Sequence, residues 1–254
     1  MEVCFLGTGT SQGIPVIGCQ CEVCLSADMK DKRLRSSILI KEDDVTVVID
    51  VGPDFRQQML REKIDKLDAI LLTHEHSDHM AGLDDVRSFN FLQQRPMPVY
   101  GLSRSLEAVK ERYQYIFQGN YPGLPQIILH KISGEHSFKV GKIHVKPIRV
   151  MHGKLPILGY RIGGVAYLTD FKSIHPEQNL DDLKGLDVLI ISALHHRPHH
   201  SHSTLKESIS VAERIGAKET FFTHFSHLMG LHAVEQVHLP EPMSFAYDGL
   251  TLNL

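Results

Sequence analysis

The stretch LLTHEHSDH, residues 71–79, determines how the rest of the chain is interpreted. An apolar strand leads into three histidines and one aspartate, which are His74, His76, Asp78 and His79. Imidazole nitrogen and carboxylate oxygen are the ligands that zinc, manganese and iron(II) accept. In extended chain the first two histidines point to the same side, whereas the last two residues fall on the following turn and can face a second ion. The stretch therefore predicts a metal site.

Length, composition and charge are those of a soluble globular protein. The chain has 254 residues, of which 42% are hydrophobic and 22% charged, and its net charge is −3 with histidine neutral. A slightly negative net charge does not indicate the positively charged surface that nucleic-acid binding requires. No apolar run approaches the roughly 20 residues that span a bilayer. The first residues lack the basic segment of a signal peptide. We therefore expect a cytoplasmic protein that binds neither membranes nor nucleic acids.

The cysteines suggest a second metal site. All four precede residue 25, and Cys19, Cys21 and Cys24 are closely spaced. In a reducing compartment this clustering indicates metal binding instead of disulfides. Structural zinc takes four ligands in a closed tetrahedron, so the three thiolates predict a zinc site with one further ligand. Cys4 lies in an apolar strand and is expected in the core.

The apolar pattern divides the chain into two halves, each with strands first and helices afterwards. Helices are predicted from Asp54, over 103–118, and over 204–215, where Thr204 and Glu207 form a capping box and Gly216 ends the helix. A closing strand is predicted over 245–252. Two such halves, packed sheet against sheet, give an α/β fold, a four-layer αββα sandwich. No flexible linker separates them, so we expect a single domain over residues 1–254.

Several motifs, taken in order, resemble the metallo-β-lactamase superfamily. THEHSDH is similar to its H-x-H-x-D-H signature, and the remaining pattern is found at Asp50, His152, Asp170, His224 and the FAYDGL segment of residues 245–250. Within the superfamily, GTGTSQGIPVIGCQCEVC over residues 7–24 and the paired histidines of THFSH over 223–227 resemble the phosphoribosyl 1,2-cyclic phosphate phosphodiesterase (PhnP) family. The resemblance extends almost from end to end.

The resemblance implies a role for each motif residue. One metal ion goes to His74, His76 and His152, a second goes to Asp78, His79 and His224, and Asp170 bridges them. A shared carboxylate is what two divalent ions about 3.5–4 Å apart require. The resemblance also supplies His227 as the fourth ligand of a structural Zn2+ on Cys19, Cys21 and Cys24. Asp50 is expected to orient a ligand histidine without binding metal itself.

The resulting hypothesis is a dinuclear metal-dependent phosphodiesterase, a hydrolase of ester bonds. Its substrate would be a small cyclic or nucleotide-like phosphate ester, attacked by a metal-bridging hydroxide with Mn2+, Zn2+ or Fe2+ as the ions. Asp78 is counted among the catalytic residues. The histidine-rich run LHHRPHHSHST, residues 194–204, contributes a catalytic histidine by the resemblance. His202 is the candidate, as proton donor or phosphate ligand, and His200 remains the alternative.

Two other functions share parts of these motifs. A 3′-tRNA-processing endonuclease has the same H-x-H-x-D-H core, but it would need basic surface for RNA. A non-hydrolytic cofactor-biosynthesis protein similar to the pyrroloquinoline quinone protein PqqB would show a degraded catalytic set, whereas all seven ligand positions are filled. The expected partner is therefore a small-molecule phosphate ester. Whether the chain forms a homodimer stays open at this stage.

Overall fold

Two β-sheets lie face to face in the computed structural model, which describes all 254 residues. The strands, in chain order, are β1 Glu2–Gly7, β2 Ser37–Glu42, β3 Val45–Ile49, β4 Ala69–Leu71, β5 Met97–Gly101, β6 Ile127–Lys131, β7 Phe138–Val140, β8 Ile143–His152, β9 Leu155–Ile162, β10 Val165–Leu168, β11 Ser173–Ile174, β12 Val188–Ser192, β13 Glu219–Thr223, β14 Met243–Phe245 and β15 Thr251–Asn253.

Each sheet is part antiparallel and part parallel. The first has the order β15-β1-β2-β3-β4-β5-β6 and is parallel from β3 onward. The second has the order β11-β8-β9-β10-β12-β13-β14, with β7 beside β8, and is parallel from β10 onward. The predicted closing strand over 245–252 is wrong as a single element. Its two ends belong to β14 in the second sheet and β15 in the first.

Helices cover the outer surface of both sheets. The α-helices are α1 Glu22–Leu25, α2 Phe55–Arg61, α3 Ser77–Met80, α4 Arg87–Gln93, α5 Ser103–Arg112, α6 Gln114–Gln118, α7 Leu205–Ile215 and α8 His232–Gln236. Short 3-10 helices span Met29–Asp31, Leu83–Val86 and Leu180–Leu183. No helix is long and apolar enough to cross a bilayer.

Two helix predictions need correction and one is confirmed. The helix predicted over 103–118 is interrupted at Tyr113, whose buried hydroxyl donates to the Met80 carbonyl at 3.0 Å. Asp54 does not cap α2 with its side chain, because its carboxylate accepts from Arg35 instead. The capping box that begins α7 is present as predicted, with a left-handed glycine at position 216 ending the helix.

Three layers of core confirm the four-layer αββα architecture. Phe5 and Tyr160 belong to the cluster between the sheets. Phe55 and Val109 belong to the cluster between the first sheet and its helices. Leu205 belongs to the equivalent cluster behind the second sheet. Because β3, β4, β10 and β13 run parallel to their sheet neighbours, the polar residues that follow them lie at one edge of the sandwich.

Candidate metal centre

Eight predicted site residues from both halves of the chain meet at this edge. Their ligand atoms lie within 4.8 Å of one another in four overlapping groups, which are His74, His76 and His152; His74, His79 and Asp170; Asp78, His79 and His224; and His152, Asp170 and His202. The structure therefore brings together every residue assigned to the dinuclear site, although these residues come from helix α3 and from the ends of four strands, β4, β8, β10 and β13, in two sheets. Of the histidines in these groups only His76 is exposed, so the centre opens to solvent on its side.

Asp50 contacts a candidate ligand as the sequence predicts. It is fully buried, and its Oδ2 lies 2.7 Å from Nδ1 of His79. The same carboxylate accepts from the Thr73 backbone N–H and hydroxyl, both at 2.8 Å. An ionised carboxylate can only accept, so Nδ1 of His79 donates to it and Nε2 is the ring nitrogen left for the centre. That nitrogen faces Asp78 and Asp170.

Two further histidines are oriented by partners that the sequence motifs did not reveal. The Nδ1 atom of His152 lies 3.0 Å from the backbone carbonyl of Ser201. The Nδ1 atom of His74 lies 2.9 Å from the Thr73 hydroxyl oxygen. In both rings Nε2 is thereby left for the centre, the arrangement in which a ligand histidine is held by a second group. A backbone carbonyl has no sequence signature, and Thr73 could have been noticed only as a neighbour of the motif.

Contacts within the centre have the distances of metal ligands but not the angles of hydrogen bonds. Oδ2 of Asp170 lies 3.0 Å from Nε2 of His79 and 3.1 Å from Nε2 of His224. Yet both nitrogens, like Nε2 of His74, are buried without a hydrogen-bond partner. Ligands at about 2.0–2.2 Å from one ion and at right angles are about 3 Å apart. The donor atoms point at common positions, and the set fits divalent metal ions.

Charge also favours metal binding. Burial opposes ionisation of Asp170, but His224 and His79 outweigh it and hold the pKa of its carboxyl well below the usual value. Burial keeps the pKa of His74 well below its usual value and lowers that of His202 to about 2, so both rings are neutral. The pKa of His79 is raised instead, because Asp170 and Asp78 outweigh its burial. A metal ion would displace that extra proton.

Three residues of the centre have left-handed backbone. The φ angles are 65° at Asp50, 49° at Asp170 and 61° at His224. Each lies one or two residues beyond the end of a strand, where its side chain belongs to the centre at the edge of the sandwich. Non-glycine residues adopt this conformation at a cost on the order of 1–3 kcal/mol, and such strain is concentrated at functional sites.

His202 and His200 occupy different positions. The Nδ1 atom of His202 lies 3.8 Å from Oδ1 of Asp170 and has no hydrogen-bond partner. Its ring is 4.5 Å from that of His152. His200 is exposed and lies outside the four ligand groups. The structure therefore brings His202 to the centre, and His200 stays at the surface.

The cysteine cluster has the geometry of a tetrahedral site. The Sγ atoms of Cys19, Cys21 and Cys24 lie 3.3, 3.4 and 3.6 Å from Nδ1 of His227. Bonds of about 2.3 Å to sulfur and 2.0 Å to nitrogen place the sulfur and nitrogen ligands of a tetrahedral site about 3.5 Å apart. The backbone N–H of Cys24 lowers the pKa of the Cys21 thiol to about 6, so Cys21 is a thiolate at neutral pH. Cys4 is buried elsewhere, as expected.

One positioning contact was missed at the sequence level. Glu75, between the first two histidines of the motif, accepts from Arg104 Nε at 3.1 Å and from the Ser105 hydroxyl at 3.0 Å. Both partners belong to α5, which therefore holds the histidine turn from outside. Nothing in the spacing of the motif pointed to these residues.

Comparisons with known proteins agree with the fold and the motifs. The family model of the beta-lactamase superfamily domain matches residues 45–225. A Porphyromonas gingivalis protein named octanoyltransferase is 44% identical over 253 residues, which are 98% of this chain and 51% of that protein. The chain spans about half the length of the curated relatives it matches.

Solved structures are similar over their full length. The crystal structure of a new diphosphatase from the PhnP family has a TM-score of 0.92 and 42% identity, and the match covers 100% of this chain and 97% of that one. Zn2+-bound PqqB from Methylobacterium extorquens has a TM-score of 0.81 at 20% identity, with 100% of both chains covered, and shows the fold alone. The chain therefore belongs to the metallo-β-lactamase superfamily and, within it, to the PhnP family.

Proposed function

We propose that the protein is a dinuclear metal-dependent phosphodiesterase that hydrolyses a small cyclic or nucleotide-like phosphate ester. The observation that carries the proposal is the position of Asp170. Its Oδ2 faces His79 and His224, whereas its Oδ1 lies 3.9 Å from Nε2 of His152 and 3.8 Å from Nδ1 of His202. Each carboxylate oxygen thus faces a different ligand set, as a bridge between two ions requires.

The two ligand sets divide between the ions. The first ion would be held by His74, His76 and His152, and the second by Asp78, His79 and His224. When bound, two divalent ions make a water acidic enough to attack phosphorus near neutral pH and neutralise the phosphate oxygens. Manganese, zinc and iron(II) all accept these ligands.

The protein's own residues orient the ligands and act on the substrate. Asp50, Thr73 and the Ser201 carbonyl fix the ligand rings, so little reorganisation is needed when the substrate binds. The Nδ1 atom of His202 is free of partners in the protein. It is therefore available to hydrogen-bond the phosphate or to protonate the leaving group.

The structural zinc belongs to the same proposal. Cys19, Cys21, Cys24 and His227 would hold it as a closed tetrahedral site. Because His227 follows His224 by three residues, this ion would fasten the N-terminal loop beside the catalytic ions.

A second candidate function is hydrolysis of a diphosphate. The observation that favours it is the 42% identity to a diphosphatase of the PhnP family. Both reactions are attacks of water on phosphorus, and they differ only in whether an alcohol or a phosphate leaves.

The experiment is an assay of protein reconstituted with Mn2+ or Zn2+. Substrates are bis-p-nitrophenyl phosphate, 2′,3′-cyclic AMP, ribose 1,2-cyclic phosphate and the diphosphate ADP-ribose. We expect turnover of at least one phosphodiester and a loss of at least about 100-fold in Asp78→Ala. Asp84→Ala, at a half-buried acidic residue of the same region that pairs with Arg87, is the matched control and should be unchanged. Turnover of ADP-ribose alone would favour the diphosphatase, and no turnover, or an active Asp78→Ala protein, would refute both functions.

Metal analysis tests the zinc site separately. Mass spectrometry of the native protein should find one zinc per chain that is lost in Cys21→Ser and retained in Cys4→Ala. Retention of this zinc in Cys21→Ser would contradict the assignment.

A further inference from the structure

A buried arginine lies between the cysteine cluster and the metal centre. Arg33 is only 6% exposed, and its guanidinium lies 4.4 Å from the centre of the Phe225 ring. Phe225 directly follows His224, a proposed ligand of the second catalytic ion, and precedes His227, the proposed zinc ligand, by two residues. Arg33 therefore packs on the short segment that joins the two proposed metal sites.

The partners of this guanidinium are neutral groups. It donates to the Thr8 hydroxyl at 2.8 Å, to the Ala246 carbonyl at 2.6 Å and to Nδ1 of His232 at 3.1 Å. Burial and the charge of Arg33 lower the pKa of His232 to about 4, so this ring is neutral and its Nδ1 can accept. Burying a charge without an ion pair is costly. A role beyond packing would account for the presence of a charged side chain here.

The backbone of Arg33 is attached to both ends of the cysteine loop. Arg33 and Ile14 exchange two backbone hydrogen bonds of 2.8 Å, at a point five residues before Cys19. At the other end of the loop, Lys32 Nζ donates to the Cys24 carbonyl at 3.1 Å. The position of Arg33 therefore depends on whether the cysteines are drawn together on an ion.

The ligand segment is fixed by the same arginine and its hydrogen-bond partner. The Thr8 carbonyl accepts from the Phe225 backbone N–H at 2.9 Å, and the Phe225 carbonyl accepts from the Thr10 backbone N–H at 2.9 Å. The Phe225 backbone is thus held through Thr8, whose hydroxyl accepts from Arg33, and the Phe225 ring is held by the guanidinium itself.

His224 depends on this segment more than the other buried ligand histidines do. Nδ1 of each of the others contacts a protein oxygen, and these histidines are His74, His79 and His152. Nδ1 of His224 has no hydrogen-bond partner, and its backbone is left-handed, with a φ of 61°. The direction of its ring is therefore determined by the backbone that Phe225 anchors.

From this geometry we infer that Arg33 is a positioning residue that couples the cysteine site to the second catalytic ion. Zinc on the cysteines would fix Arg33 against Phe225, and Phe225 would fix His224 for the ion. The inference rests on the proposed function, because it requires ions at both sites. Coupling between two sites is reciprocal and typically changes an affinity about 5–150-fold. The cysteine site would thus control how tightly the centre holds metal.

The test measures the Mn2+ affinity of the centre with and without zinc on the cysteines. Manganese favours carboxylate ligands and leaves the thiolates to zinc, so a chelator competition titration with Mn2+ reports on the centre alone. In the wild-type protein carrying one zinc we expect two binding steps. In Cys21→Ser, which should lose the zinc, one step should weaken at least about tenfold.

The arginine is tested by a double-mutant cycle. Arg33→Met should weaken the same step while it retains its zinc, and Arg33→Met/Cys21→Ser should lose no more than either single variant. Arg33→Lys keeps a charge and a donor and should recover part of the affinity. Arg61→Met is the matched control, because Arg61 also donates to a carbonyl of β1, that of Leu6 at 2.8 Å, but contacts neither the cysteine loop nor the ligand segment.

Three results would overturn the coupling. They are an unchanged Mn2+ affinity in Cys21→Ser, additive losses in the double variant, and equal weakening of both steps in Arg33→Met, which a merely structural role would produce. Phe225→Leu keeps Arg33 but removes the ring on which it packs, so it provides the same test if Arg33→Met does not fold. Absence of Mn2+ binding by the wild-type protein refutes the proposed function instead.

Discussion

Replacing Asp50 by asparagine is the sharpest test of how the second metal position is built. The buried carboxylate accepts three hydrogen bonds, two from Thr73 and one from Nδ1 of His79. An amide has one oxygen and one N–H2 group. In either orientation of the Asp50→Asn side chain, at least one of the three donors would face another donor.

Two effects set the expected magnitude. Loss of a group that orients a metal-ligating histidine typically weakens metal binding about 10–100-fold, which is about 1.4–2.8 kcal/mol. A buried donor left without an acceptor costs about 1–3 kcal/mol of stability. Burial raises the pKa of Asp50, so a neutral amide recovers part of that cost. We therefore expect the loss in metal affinity to exceed the loss in the free energy of unfolding.

The assay is a competition titration with a chromophoric chelator, combined with urea unfolding of the metal-depleted protein. One of the two binding steps should be selectively weakened in Asp50→Asn, since His79 belongs to only one of the two proposed ligand sets. Asp54→Asn is the matched control, because Asp54 is a partly buried carboxylate that pairs with Arg35 and contacts no ligand. Wild-type affinity for both ions in Asp50→Asn, or an equal loss at both, would refute the reasoning.

Three further predictions concern local structure. Thr204→Ala removes the capping box with Glu207 and should lower the free energy of unfolding by about 1 kcal/mol in urea titrations; an unchanged midpoint would contradict this. Gly52→Ala would place a Cβ in steric conflict with the Asp78 carbonyl oxygen. Chelator titration should therefore find weaker metal binding; wild-type affinity would show that the turn can move without affecting the centre. Burial raises the pKa of Asp248 to about 6 from the usual 3.8, so the unfolded chain loses this proton first. The contribution of Asp248 to the free energy of unfolding should consequently fall by about 3 kcal/mol as pH rises from about 4 to about 6. Unfolding measured across that range should show this decline in the wild-type protein and not in Asp248→Asn.

Interactions between residues at fixed short spacing were predictable. The capping box of α7 joins Thr204 to a residue three positions later. The three cysteines fall within six positions and converge on one point. In each case the geometry follows from the local chain path, so the residue types and their spacing are sufficient.

Errors occurred where a distant partner overrode a local preference. The helix over 103–118 has continuous periodicity, but Tyr113 turns inward to reach the Met80 carbonyl and interrupts it. Asp54 is a good capping residue by type, yet Arg35, in the segment that precedes β2, is a stronger partner for its carboxylate. The closing stretch contains two strands of different sheets, because the chain crosses the sandwich between them.

The αββα fold and the histidine turn after β4 could be predicted from the order of the residues, and the family resemblance added the proposed ligand set. How those side chains are held became visible only in the folded protein. Asp50 meets His79 from another strand of the first sheet, a backbone carbonyl orients His152, and the two oxygens of Asp170 face different ligands. Likewise, a run of histidines became a row of three rings leading out of the centre. The physical reason is that these contacts join chain segments far apart in sequence, and only the packing of the two sheets fixes their distances and angles.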